Sequence, residues 1–180
     1  MSLKCAARWA ALITFCSMAF LLLVVPASAA SPNLVISQIY GGGGNAGAPL
    51  RNDFIEIFNR GSAPASLNGL SLQYASATGT GNFGASGTLT LLPNVTLMPG
   101  QYFLVQEAGG TTGSALPAPD ATGTTNMSAS GGKVALVNST TTLGCNGGST
   151  PCLDAQLALI IDLVGYDGAN FFETSAAPTL

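Results

Sequence analysis

Residues 53–72 read DFIEIFNRGSAPASLNGLSL, two short apolar runs on either side of a turn rich in Gly, Ser and Pro. The same punctuation recurs along most of the chain, and no stretch offers an amphipathic helix. A sequence of this kind can bury its apolar groups only by stacking sheets. The first run, LVISQIY at 34–40, sets Leu34, Ile36 and Gln38 against Val35, Ser37 and Ile39. In 54–59, Ile55 and Ile57 share one face while Phe54, Glu56 and Phe58 share the other. Apolar groups on both faces predict a central strand with only part of one face wet. Further strands are predicted over 70–74, 88–92, 95–97, 101–106, 133–138 and 159–166, with turns at Asn68-Gly69 and Met98-Pro99-Gly100. Seven or eight strands in one domain suit an all-β sandwich of two sheets.

The N-terminus carries its own pattern. Lys4 and Arg8 precede an apolar run from Trp9 to Val25, Pro26 ends it, and Ala27-Ser28-Ala29-Ala30 supplies small residues for cleavage. Residues 1–30 are therefore expected to be a secretory signal peptide, and 31–180 the mature domain. The rival is an uncleaved anchor, because the run approaches the ~17 residues that span a bilayer. A lipid anchor does not fit, since Cys16 lies within the run. On the signal-peptide reading, membrane contact ends with cleavage.

Cleavage leaves three basic residues (Arg51, Arg60, Lys133) against eight acids, a formal charge of −5. Scattered cations cannot displace counterions from phosphates, so strong nucleic-acid binding by this domain alone is not expected. Cys145 and Cys152, in CNGGSTPC, are the two cysteines that survive cleavage. In an oxidising compartment they are expected to pair, stabilising the fold by about 2.5 kcal/mol in the chain-entropy model. A zinc site lacks ligands, because the chain has no histidine.

Catalytic and cofactor motifs are weak. GGGNAG at 42–47 satisfies GxGxxG, but no helix follows in APLRN to hold a pyrophosphate, so a flexible sandwich loop is expected. Asp53 and Glu56 lie three apart in an extended run and point to opposite faces, so they do not converge alone. A Ca²⁺ site would have to recruit Asp120, Asp162 or Asp167. The simpler expectation is that Asp53 ends a loop, and that Glu56 pairs with Arg60 or accepts backbone hydrogen bonds. Asp162 lies within an apolar strand, where it needs a wet face or a hydrogen-bonding partner. A nucleophilic serine has no evident base. Catalytic residues, metal ligands and cofactor are all expected to be none.

Tyr40, Tyr74, Phe83, Tyr166, Phe171 and Phe172 are candidate contact rings for carbohydrate or protein, although most should pack inside. The single tryptophan, Trp9, leaves with the signal. Asn94, Asn126 and Asn138 begin Asn-x-Ser/Thr triplets, which matter only in a glycosylating host. The connection over 107–132 is long for a compact domain, and a tolerated surface insertion is the expected reading over a binding surface.

Several blocks, in order, resemble the lamin tail domain. They are ISQI (36–39), DFIEIFNRG (53–61, with Asp53, Phe54, Ile55, Glu56, Asn59 and Gly61) and LNGLSL (67–72, with Leu67 and Gly69). LMPGQYFLV (97–105, with Pro99 and Gly100), KVALVN (133–138) and IDLVGY (161–166) continue the series. The look is closest to the bacterial secreted branch. The resemblance implies an immunoglobulin-like β-sandwich without catalytic residues, secreted or surface-bound, whose partner is an unidentified extracellular protein, surface or polymer. Relatives often accompany nuclease or phosphatase domains of the endonuclease/exonuclease/phosphatase type, so one alternative is the accessory part of such an enzyme. A Ca²⁺-dependent adhesion domain is another. Relatives usually run beyond an FFE-type segment (171–173) into another strand, so this domain is also read as one that can lack its last strand, leaving an exposed edge.

Overall fold

A computed structural model describes residues 33–178. The expected signal peptide and its cleavage region, Ala27 to Ala30, lie outside the described residues. The described chain is an immunoglobulin-like β-sandwich.

The strands are β1 (Leu34–Tyr40), β2 (Asn52–Asn59), β3 (Ala65–Ser66), β4 (Ser71–Ser76) and β5 (Leu89–Leu91). They continue as β6 (Thr96–Leu97), β7 (Tyr102–Gly109), β8 (Ala121–Thr122), β9 (Gly132–Val137) and β10 (Ile160–Tyr166). One short helix, α1 (Asp154–Leu157), precedes β10. The first sheet has the order β1-β2-β7-β8 and the second β10-β9-β4-β5, while β3 and β6 form a small ladder. All eight predicted strands are present within a few residues of their expected limits. The two-residue strands β3 and β8 were not anticipated, because a pairing that short leaves no period to read.

Inward side chains of the two sheets make the central core. Ile55 and Ile57 of β2 and Val105 of β7 meet Leu72 of β4 and Val134 and Leu136 of β9. A second apolar cluster lies on the far side of the second sheet. There Phe83, Leu143 and Cys145 cover Ala75, Ala135, Val137 and Leu163. The stretches 77–88 and 138–153 thus act as a third layer. Cys145 and Cys152 form a disulfide with Cα atoms 5.1 Å apart, closing the loop within that layer.

Two expectations need correction. The connection over 107–132 is only in part a surface insertion: 108–124 stays exposed or half-buried, but β7 runs on to Gly109, β8 pairs parallel to β7, and Thr125 and Met127 are buried. The glycine-rich loop is tied down rather than loose, with Gly44 N–H donating to the Leu50 carbonyl and Gly42 N–H to that of Met127. A Cβ on Gly43 would collide with the backbone of Asn52, and Gly44, at φ 75°, packs on Gly110. The glycines are there for close approach. Beyond β10, Ala177 forms an isolated parallel bridge with Tyr166.

Candidate binding face

The acids are occupied by the fold. Asp53 does not end a loop; it lies in β2, 1% exposed, and accepts the N–H groups of Gly43 and Met127, each at 2.6 Å. Glu107 accepts the Thr90 hydroxyl at 2.6 Å and the Thr125 N–H at 2.9 Å, joining β7 of one sheet to β5 of the other. Asp162, in β10, accepts the Ile36 N–H of β1 at 2.6 Å, which is the partner its position called for. Each of these three carboxyls is held above the ordinary carboxylate range by burial, against the opposing pull of its donors. They clamp strands and loops together. Glu56 does not pair with Arg60; its Oε1 accepts the Ser37 hydroxyl at 2.7 Å. Among the described residues no three Asp, Glu, Cys or His side chains are grouped to hold a metal.

The other motif residues turn the chain. Asn59 is buried and its amide donates to the carbonyls of Ala63 and Leu97, while its Oδ1 accepts the Gly61 N–H at 3.0 Å. Leu67 is a core residue, and Gly69 and Gly100 take left-handed φ of 78° and 80° in their turns, Gly100 directly after Pro99.

Lys133, which the sequence left unplaced, is fully buried on the outer side of the second sheet. Its ammonium donates to the Asn146 carbonyl at 2.8 Å and to Asn170 Oδ1 at 2.9 Å, and lies 5.9 Å from the Phe83 ring centroid. Burial pushes its pKa down. The lysine anchors the disulfide loop to β9.

The outer face of the first sheet is different. Strand registers align Tyr40 with Phe54, Gln38 with Glu56, and then Glu56 with Leu104 and Phe58 with Tyr102. Tyr40 stacks on Phe54 with centroids 5.7 Å apart, and Phe58 on Tyr102 at 4.4 Å. Tyr102 is 58% exposed. The glycine-rich loop rises beside the first ring pair to form an open cavity of about 550 Å³, lined by Gln38, Tyr40, Asn45, Pro49, Leu50 and Phe54 among others. A smaller cavity of about 220 Å³ lies between β1 and β10, lined in part by Ala177 and Pro178.

Of the candidate rings, Tyr74, Phe83 and Tyr166 are buried, with the Tyr166 hydroxyl donating to the Ser128 carbonyl at 2.7 Å. Tyr40 reaches the open face; Phe172, 38% exposed, lies elsewhere. Phe58, Tyr102 and Gln38 were not singled out from sequence. The signal was present in the outward set Phe54, Glu56, Phe58, but which residues face them across the sheet depends on strand register.

No curated protein matches the chain. The Lamin Tail Domain family model matches residues 27–167, and the chain belongs to that family.

Proposed function

We propose that the chain is an exported, non-catalytic module that binds or tethers at the cell exterior, in the manner of the family's bacterial secreted members. One observation carries this reading. The buried carboxylates that a catalytic site would need are each engaged by backbone or hydroxyl donors, whereas one broad sheet face with an adjoining cavity stays open. A preformed concave site with few polar groups and no activated acid or base is suited to binding rather than to proton transfer. The disulfide and the leader-like pattern of residues 1–30 support export.

The test is expression of the full chain, with a C-terminal tag, in a secretion-competent bacterium, followed by fractionation and N-terminal sequencing. The expected product begins near Ser31, lies outside the cytoplasm, and turns over phosphodiesters, phosphomonoesters and esters no faster than a heat-inactivated control. A cytoplasmic product that keeps Met1 would refute export. Turnover that tracks the purified protein would refute the non-catalytic assignment.

A further inference from the structure

We propose that the outer face of the first sheet, with the cavity beside it, binds a neutral, extended polysaccharide; this rests on the reading of the chain as a binding module and names its ligand class. Sugars present apolar C–H surfaces interrupted by rims of hydroxyls. A protein surface that recognises them therefore needs ring surfaces with amide or carboxylate groups between. This face has that order. Phe54, itself buried at 7% exposure, and half-buried Phe58 back the two ring pairs four residues apart on β2, about 13 Å along an extended strand, so that Tyr40 and Tyr102 offer the ring surface. Gln38 and Glu56 lie in the row between them, and Gln106 stands opposite Phe54 on β7. The separation suits a chain of sugar units that touches both ring pairs rather than a single ring.

Charge selects the ligand further. Every residue lining the larger cavity is uncharged, and the row between the ring pairs contributes one carboxylate and no cation. A phosphate or sulfate polymer would meet nothing to replace its counterions and would be repelled by Glu56. A protein partner is less well suited, since hot spots form where aromatic anchors enter fully desolvated pockets, and Tyr102 stands open to water. The Ser37 hydroxyl holds Glu56 Oε1, which fixes the carboxylate across the face before any ligand arrives. Asn45 and the backbone of the clamped glycine loop add polar groups at the cavity rim. An ordered rim reduces the entropy lost on binding.

Affinity electrophoresis of the exported chain in gels containing hydroxyethylcellulose, xylan, glucomannan or laminarin tests the proposal, with pull-down on insoluble cellulose and chitin. Heparin and duplex DNA serve as polyanion controls. The expected result is retention by at least one neutral polymer that persists in about 1 M NaCl, where exposed charge–charge attraction is screened. Tyr102→Ala should weaken that retention by about tenfold, the size of one lost ring contact. Gln38→Ala should weaken it less and hold its melting temperature, while Tyr102→Ala, which loses the stack on Phe58, stays folded with a melting temperature only a little lower. The proposal is overturned by no retention on any neutral polymer, by binding to heparin or DNA alone, or by retention that the Tyr102→Ala/Gln38→Ala double variant leaves intact. An exported chain that still attaches to cells but ignores every sugar polymer would remove the ligand class and leave the tethering function standing.

Discussion

The two outer faces of the sandwich are made from similar strands and meet opposite fates. On β7, in the first sheet, burial alternates along the strand from exposed Tyr102 and buried Phe103 to half-buried Leu104 and buried Val105. On β9, in the second sheet, every residue from Gly132 to Val137 is buried. The difference is not in the strands. Phe83, Leu143 and Cys145, carried by loops, cover the second sheet, while the first sheet carries only its own rings. A polar residue in a strand is therefore not a reporter of solvent. Gln73 and Lys133 are polar residues within strands, yet both are fully buried. Gln73 donates to Ser71 Oγ and the Thr141 carbonyl and accepts from Leu143 N–H, so its amide fastens one covering loop.

This contrast can be broken most directly at Phe83. Its ring is fully buried beneath the covering layer, so Phe83→Ala should destabilise the fold by about 3–5 kcal/mol in urea titrations. A loss under about 1 kcal/mol would mean that the third layer is not core. Gln73→Ala comes next. It leaves the Leu143 N–H and Thr141 carbonyl without their partner and should lower stability by about 2–3 kcal/mol. Reduction of Cys145–Cys152 should remove a further constraint of about 2.5 kcal/mol, and hydrogen exchange should then rise first in 138–153. Uniform exchange over both faces after reduction would contradict the local role given to the loop.

The pH dependence follows from the clamps. Asp53, Glu107 and Asp162 have raised values in the fold, so the native state holds protons that the unfolded chain has already released. Their contribution to stability is full below the ordinary carboxylate range and is lost as pH rises through the raised values. Lys133, pushed below 10.5, acts in the other sense: its contribution is present above that value and is lost as pH falls through its folded one. Denaturation midpoints should therefore decline as pH rises above the ordinary carboxylate range, and a steady rise there would exclude the carboxyl assignment. The smallest effects belong to the open face, where Tyr102→Ala, which loses its stack on Phe58, should cost about 0.5–1.5 kcal/mol and Gln38→Ala no more than about 0.5 kcal/mol.

Much of the architecture was legible before any coordinates. Alternation alone sets Ile55 and Ile57 on one face of their strand and Phe54, Glu56 and Phe58 on the other, and the glycines mark the turns at Gly69 and Gly100. Which face of β2 turns inward is decided by the second sheet packed on it. Asp53, the glycine-rich loop and the connection over 107–132 were harder, because they form one device. Asp53 holds Gly43 from the loop and Met127 from the connection, a contact 74 residues away in sequence. Read separately, the three look like a loop end, a flexible turn and an insertion.

The sequence by itself determined eight of the ten strands, the two-faced alternation of β2, the turn positions, the expected pairing of the two cysteines and the family. These are local properties, set by side-chain period, backbone freedom at glycine and proline, and the residue inventory. Only the tertiary structure decided which sheet face stays open, where Lys133 goes and what the acids hold. Those outcomes depend on which distant segments come to cover a strand, and on a register that sets Tyr102 beside Phe58. Neither is encoded within one window of the chain, because burial is a property of what packs on a residue, not of the residue alone.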